Sequence, residues 1–338
     1  MKIVNWNIEW MNDWFVGNGS VAFRQDNPRR GISDVADLCS RVASVVKNLD
    51  SDVLTIEEGP SDIREMELFV ETYLTDGHGN VLFEIFGGID GRSQKLYALV
   101  KKGGDFKNPV IATDDLTLDL EDPWEADIDG DCQLEGYEFT RQPLVIEGTI
   151  GNGNSKLKVV ILHTKSKYVH KGESLYQNPD TRIQFIIAAL KNRRRISSEA
   201  MRVRLYVDEL LDKNKKSLIV ITGDFNDGPG IDYFEKHFLT HNVTDILLGS
   251  TYYPNLLFKH VFLETVPENK RYTAIFDDFI DDIKGRHLLL DHLLVSPALS
   301  SKIQDSGIAH KEYDAGTDNS ASGRQKHVSD HRPVYMDL

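Results

Sequence analysis

Leu218-Ile219-Val220-Ile221-Thr222-Gly223-Asp224-Phe225-Asn226 is the stretch on which the reading of this chain turns. The run Leu218–Ile221 is wholly apolar and reads as a buried strand. Gly223 lets the chain leave that strand without steric cost. Asp224 and Asn226 stand two apart, so both side chains project to one side. An aspartate there can hold a metal or orient an attacking water, and an asparagine can donate to a phosphoryl oxygen. Asp, Asn and Gly also favour turns, so this stretch alone supports a turn equally well.

Working outward, the same design recurs. Ile3-Val4 begins a strand that runs into Asn5-Trp6-Asn7-Ile8. Asp52-Val53-Leu54-Thr55-Ile56 runs into Glu57-Glu58, where a strand-end carboxylate offers a hard oxygen ligand to a cation. A lone glutamate at such a place is otherwise a solvated acid. Glu57 alternates to the other face, which argues against both acids holding one ion. Val159-Val160-Ile161-Leu162 ends at His163, followed by Thr164-Lys165-Ser166-Lys167. A histidine with lysine and hydroxyl neighbours suits a phosphoryl pocket. Leu288-Leu289-Leu290 leads into Asp291 and on to Leu293-Leu294-Val295, and Ser329-Asp330-His331 precedes the last strand, Pro333 to Leu338. An Asp–His pair in a cleft fixes the imidazole tautomer or raises its pKa. The other histidines have no comparable context.

Between these motifs the chain alternates strands and helices. Val35, Leu38, Val42, Val45, Val46 and Leu49 follow helical spacing. Leu144–Ile150 and Leu157–Leu162 predict a hairpin around Gly151-Asn152-Gly153-Asn154. A long helix is expected after Pro179, with Ile183, Ile187 and Leu190 on one face. Its stripe breaks at Arg193-Arg194-Arg195 and resumes at Ile196, Ala200, Val203, Val207 and Leu210. Residues 114–131 (strongly acidic), 251–285 (irregular) and 315–326 (small, polar, a mobile loop) read as insertions. No repeat or linker divides the chain, and the motifs span it from end to end. The expectation is one domain over 1–338, an α/β sandwich of two packed mixed sheets flanked by helices, four layers in all.

Composition narrows the function. The chain has 338 residues, 40% hydrophobic and 27% charged, with a formal net charge of −14. That charge argues against a general nucleic-acid coat protein but not against an enzyme whose metal supplies positive charge locally. Cys39 and Cys132 form neither a disulfide framework nor a zinc set. No apolar run is long enough to span a membrane. With a strand already at Lys2-Ile3-Val4 there is no room for a signal peptide, and a cytoplasmic location is expected.

Taken in order, these motifs resemble the endonuclease/exonuclease/phosphatase superfamily, whose members include deoxyribonucleases, exonuclease III-like repair enzymes, inositol polyphosphate phosphatases and sphingomyelinases. Asn7 resembles the family's first-strand asparagine, and Glu58 its metal-binding glutamate, with Glu57 in place of the usual glutamine. Asp224 and Asn226 match Gly-Asp-Phe-Asn, Asp291 the aspartate before a Leu/Val-Ser strand, and Asp330-His331 the terminal Ser-Asp-His. His163 resembles the histidine of deoxyribonucleases and sphingomyelinases rather than the tyrosine segment of abasic-site enzymes. Arg141, ahead of Pro143, resembles an arginine that opens a central strand.

The resemblance implies in-line hydrolysis of a phosphoester with Mg²⁺, or Mn²⁺, held by Glu58 with Asp330 and Asn7. His163, Asp224, Asn226, Asp291 and His331 would be catalytic, and Arg141 and Lys165 would bind the phosphate. A nuclease acting on DNA or RNA is the leading expectation. It draws on the basic run Lys191, Arg193, Arg194, Arg195, Arg202 and Arg204, which a solvated helix face explains equally well. The alternative is a phosphatase or phosphodiesterase on a small or lipid-linked phosphate. No exposed hydrophobic hairpin supports a membrane substrate, and no protein partner is readable. A non-catalytic binding module is disfavoured, because every expected catalytic residue type is present. Asp127-Ile128-Asp129-Gly130-Asp131 resembles part of a calcium loop but lacks its full spacing, and reads as an acidic turn.

Overall fold

In the computed structural model, residues 1–88, 94–128, 130–151, 155–228, 232–239 and 242–338 are described. The principal strands, in chain order, are β1 (Lys2–Asn7), β2 (Val53–Gly59), β3 (Phe83–Gly87), β4 (Lys95–Lys101) and β5 (Lys107–Ile111). They continue as β6 (Leu144–Ile150), β7 (Ser155–His163), β8 (Leu218–Asp224) and β9 (Lys259–His260). The last are β10 (Ala274–Asp278), β11 (Ile283–Leu288), β12 (Asp291–Val295), β13 (Asp305–Ile308) and β14 (Val334–Asp337). Two six-stranded mixed sheets result, ordered β13-β14-β1-β2-β4-β3 and β9-β12-β8-β7-β6-β5.

Strand alternation explains why the sheets pack. In β7, Val159 and Ile161 enter the core between the sheets, while Val160 and Leu162 face outward. Val220 points inward from β8, and Ile219 and Ile221 point outward. A continuous apolar run is therefore a strand buried on both faces. Helices α1 (Val35–Leu49) and α2 (Ile63–Tyr73) cover the outer face of the first sheet. Helix α3 (Arg182–Lys213) covers the second through Ile196, Ala200, Val203 and Val207. The four-layer sandwich expected from the sequence is the observed architecture. No helix of the described residues is long and apolar enough to cross a membrane.

Several local expectations are corrected. Helix α3 does not bury Ile183 and Ile187, which are exposed; Phe185 and Ala189 are buried instead, against Phe234. The cause is tertiary: an aromatic cluster of Tyr176, Phe185, Phe234 and Phe279 captures the neighbouring face. Leu288–Leu290 and Leu293–Val295 are not one strand. The first leucine ends β11 and the second run belongs to β12, because β10 and β11 pair as a separate hairpin within the segment read as irregular. Residues 315–326 are not a plain loop. Gly323–Gln325 form a 3₁₀ turn, Gln325 is buried, and Arg41 bonds the carbonyls of Gly316 and Gln325. The predicted hairpin is confirmed by the β6–β7 ladder. Its turn residues 152–154, like Asp129 of the acidic turn, lie outside the described residues.

Candidate active site

Register places the chemistry. His163 ends β7 opposite Asp224 at the end of β8, and Asp224 pairs in turn with Asp291 at the start of β12. Three ionisable side chains thus lie in a row across adjacent strands at one edge of the second sheet. On the first sheet, Asn7 ends β1 beside Glu57 of β2. The segment before β14 closes the row: Ser329 Oγ donates to the Asn7 carbonyl at 2.6 Å, and Trp6 Nε1 donates to the His331 carbonyl at 2.9 Å.

His331 Nδ1 meets Asp291 Oδ2 at 2.7 Å, and its Nε2 lies 3.9 Å from Asp224 Oδ2. Burial alone would lower the imidazole pKa, but the Asp291, Asp224 and Asp330 carboxylates outweigh it and raise it well above the usual value. These carboxylates favour the protonated imidazole, and Asp291 fixes its orientation. His163 is the opposite case. Burial first, then Arg141 and His331, push its pKa well down, so it is neutral, with Nε2 3.5 Å from Asp224 Oδ2.

Asp224 accepts from Asn7 Nδ2 at 3.0 Å and from the Asn226 backbone N–H at 2.8 Å. Its pKa is raised to about 7, by burial first and by Asp291, against the opposing pull of His331 and of the hydrogen bonds from Asn226 and Asn7. A carboxylate poised near neutrality suits proton abstraction from water. Asn226 has a left-handed backbone (φ 50°), and its amide donates to the Thr164 carbonyl at 3.2 Å. The motif is a turn, and that turn sets both Asp224 and Asn226 on the wall of one cleft.

Glu58 departs from simple strand alternation. The β2–β4 register breaks between Ile56 and Gly59, and Glu58 sits at φ 58°. This bulge turns its side chain into the cleft, where Oε2 accepts from the Trp10 backbone N–H and from Gln94 Nε2, both at 2.9 Å. Burial, then Asp330, raises the Glu58 pKa. Glu57 is fully buried behind it, accepting from Asn5 Nδ2, with its pKa driven well up by burial and by Asp291 and Asp224.

Arg141 donates to Gln94 Oε1 at 3.0 Å and to the Thr164 carbonyl at 3.3 Å, so Gln94 bridges it to Glu58. Lys165 borders the same cleft, its pKa lowered first by burial. Glu58, Arg141, His163, Lys165, Asp224, Asn226, Asp330 and His331 all line one cleft of about 1070 Å³. Asn7 and Asp291 stand behind it as partners of Asp224 and His331.

Sequence reasoning missed Gln94, Glu9 and the buried histidine pair. Glu9 is held by Arg324 at 2.9 Å, and burial with Asp330 and Glu58 lifts its pKa to about 7. His292 Nε2 contacts the Asp227 carbonyl at 2.7 Å and its Nδ1 meets His260 Nε2 at 2.9 Å, buttressing the loop after Asn226. The Asp beside His292 was the only signal for it. Gln94 had none.

Among the described residues, two groups could hold a cation. Asp224, Asp291 and His331 lie close enough together to do so. His331 Nδ1 is already committed to Asp291, however, which leaves only its Nε2 for an ion. Glu58 and Asp330 offer hard oxygens in the cleft whose mutual repulsion an ion would relieve, and this pair fits a divalent cation better.

This pair of mixed sheets is a fold shared with solved proteins described as endonuclease/exonuclease/phosphatase. Among solved structures, truncated TDP2 from Caenorhabditis elegans is similar at 14% identity, covering 99% of this chain and 95% of its own, with a TM-score of 0.51. TDP2 from D. rerio, complexed with a single-strand DNA product, covers 99% and 97% at 11% identity and a TM-score of 0.50. An endonuclease/exonuclease/phosphatase from Bacteroides vulgatus covers 100% and 97% at 12% identity, also with a TM-score of 0.50. No family model matches the sequence, and no curated protein matches it.

Proposed function

We propose that the chain is a divalent-metal-dependent phosphoesterase that cleaves phosphodiesters by in-line attack of water. The observation that carries this reading is the Asp291–His331 pair beside Asp224, in the cleft that also holds Glu58 and Asp330. Asp224, oriented by Asn7 and Asn226, takes the proton from water. The Nε2–H of His331 faces the phosphoryl oxygens and stabilises their charge as it builds. Neutral His163, the Asn226 amide and Arg141 add donors from the second sheet, and Lys165 adds a cation at the rim. Glu58, Asp330 and Asn7 would hold the metal, which supplies charge neutralisation at the phosphoryl group when bound.

A nucleic-acid strand remains the leading substrate, but the basic helix does not carry it. Arg193 pairs with Asp232, Arg195 with Glu199, and Arg204 with Asp208 and three backbone carbonyls. Arg202 donates to the Asp119 carbonyl and stacks on Trp124. These side chains serve the fold. A short strand or a strand end therefore suits the cleft better than a long duplex. The same pairing favours the second reading, a small organic phosphoester.

Incubation with Mg²⁺ or Mn²⁺ and plasmid, single-stranded DNA, RNA or bis-p-nitrophenyl phosphate separates the readings. Cleavage of the small ester alone selects the second, and cleavage of nothing sinks both. For the metal, Glu58→Gln is expected to abolish the rise in Tm that millimolar Mg²⁺ gives the parent. A ligand at 100 times its Kd stabilises the parent by about 2.7 kcal/mol. An equal rise in the variant would remove Glu58 from the ligand set.

A further inference from the structure

The cleft has more wall than a phosphoryl group needs. Three large aromatic side chains, Trp10, Tyr168 and Phe276, form part of it, and Trp10 and Phe276 are the two tied to the reacting centre. Trp10 is 41% exposed and Phe276 38% exposed, and both line the cleft. Exposed large aromatics bordering a polar site are candidate contact surfaces.

Each is fixed beside one half of the reacting centre. Trp10 has a left-handed backbone (φ 51°), follows Glu9 at φ 30°, and gives its backbone N–H to Glu58. Two consecutive non-glycine residues at positive φ are a costly conformation that the surrounding contacts must hold. Arg30 lies 4.8 Å from the indole centroid and covers one face of it. Phe276 stands on β10, whose first residue, Ala274, bridges to His331. The Phe276 ring centroid is 6.3 Å from that of His331. Three cations farther along the cleft are held by carboxylates: Lys167 by Asp227 and Asp232, Arg193 by Asp232, and Arg286 by Asp278 and Asp281, while Arg271 donates to the Val266 carbonyl. Neutral surfaces therefore have a share in recognition beyond the phosphoryl group.

We infer that Trp10 and Phe276 form a stacking subsite for a planar aromatic ring carried on the phosphoester, one ring beside the Glu58 side of the centre and one beside His331. The inference rests on the phosphoesterase reading for its chemistry, but the binding it describes does not require turnover. A nucleobase and a simple aryl group share the chemistry that this subsite recognises. Stacking tolerates any π face, and its removal by alanine substitution weakens binding about 5- to 150-fold per ring.

The test compares KM for thymidylyl-thymidine, bis-p-nitrophenyl phosphate and glycerophosphoglycerol, which has no ring, in the parent, Trp10→Ala and Phe276→Ala. In each variant, KM for the ring-bearing esters is expected to rise about 5- to 150-fold relative to that for glycerophosphoglycerol. A rise confined to the dinucleotide identifies a nucleobase site, and one confined to the nitrophenyl ester an aryl site. Equal KM ratios in the parent and both variants would overturn the subsite. Thymidine 5′-monophosphate is also expected to quench parent tryptophan emission, and Trp10→Leu should abolish the quench. Quenching without hydrolysis of any ester would keep the subsite and sink the phosphoesterase reading. Hydrolysis with no quenching and unchanged KM ratios would do the reverse.

Discussion

Replacing His331 by asparagine is expected to lower kcat/KM for a phosphodiester by about 10³- to 10⁴-fold, the combined size of a lost proton-bearing group and a lost oxyanion donor. The imidazolium is the charged donor held within the cleft by Asp291 at 2.7 Å, and nothing else among the described residues occupies that position. Asparagine is chosen over alanine because its amide can still donate to Asp291. Alanine would strand a buried carboxylate at a cost of about 3–5 kcal/mol, and a folding defect would then be mistaken for a catalytic one. Initial rates with Mg²⁺ and bis-p-nitrophenyl phosphate, with Tm as the folding control, decide it. A variant within tenfold of the parent rate would remove His331 from catalysis.

Asp224→Asn should cut the rate by about 10²- to 10⁴-fold, the range for a general base, yet make the protein more stable at alkaline pH. Burial lifts the Asp224 pKa from 3.8 to about 7. A group raised on folding contributes stability that is present below its unfolded pKa and lost as pH rises through the folded one. At pH 8 the parent therefore bears a buried carboxylate that costs on the order of a few kcal/mol, whereas near pH 4 it does not. The neutral amide removes that cost and forfeits one of two accepted hydrogen bonds. The Tm difference, variant minus parent, should thus be larger at pH 8 than at pH 5 in metal-free buffer. The parent rate should fall as pH drops through about 7 and the base takes up a proton. A Tm difference independent of pH would mean that Asp224 is not strained by its burial.

Much of this was legible in the residues, for identifiable reasons. Gly223-Asp224-Phe225-Asn226 carries its own geometry: an apolar strand, a glycine exit and polar residues two apart. The β6–β7 hairpin was set by two apolar runs around a glycine-rich turn. Burial on both faces of β7 and β8 made their apolar runs unambiguous. What stayed hidden was set by tertiary contact. The bulge that turns Glu58 into the cleft needs the β4 partner strand to exist at all. Gln94 acquires its role only when Arg141 and Glu58 arrive on either side of it. Ile183 and Ile187 follow helical spacing as well as Phe185 and Ala189 do, and only the aromatic cluster beneath the helix chooses between them. The arginines of the helix looked like a phosphate-binding stripe because sequence cannot show the carboxylates that neutralise them.

The position of β1 has a consequence for how the molecule assembles. This strand pairs with β2, near it in sequence, and with β14, more than 320 residues away in the numbering, where Lys2 faces Asp337. His331 lies just ahead of that distant partner, and Trp6 and Asn7 grip the segment that carries it. The loop that must close to bring them together is nearly the whole chain, and such non-local contacts form slowly. Sheets and helices built from nearer neighbours can be in place while the proton-bearing imidazole is still absent. Until the molecule has closed, a partly folded chain lacks the Asp291–His331 pair.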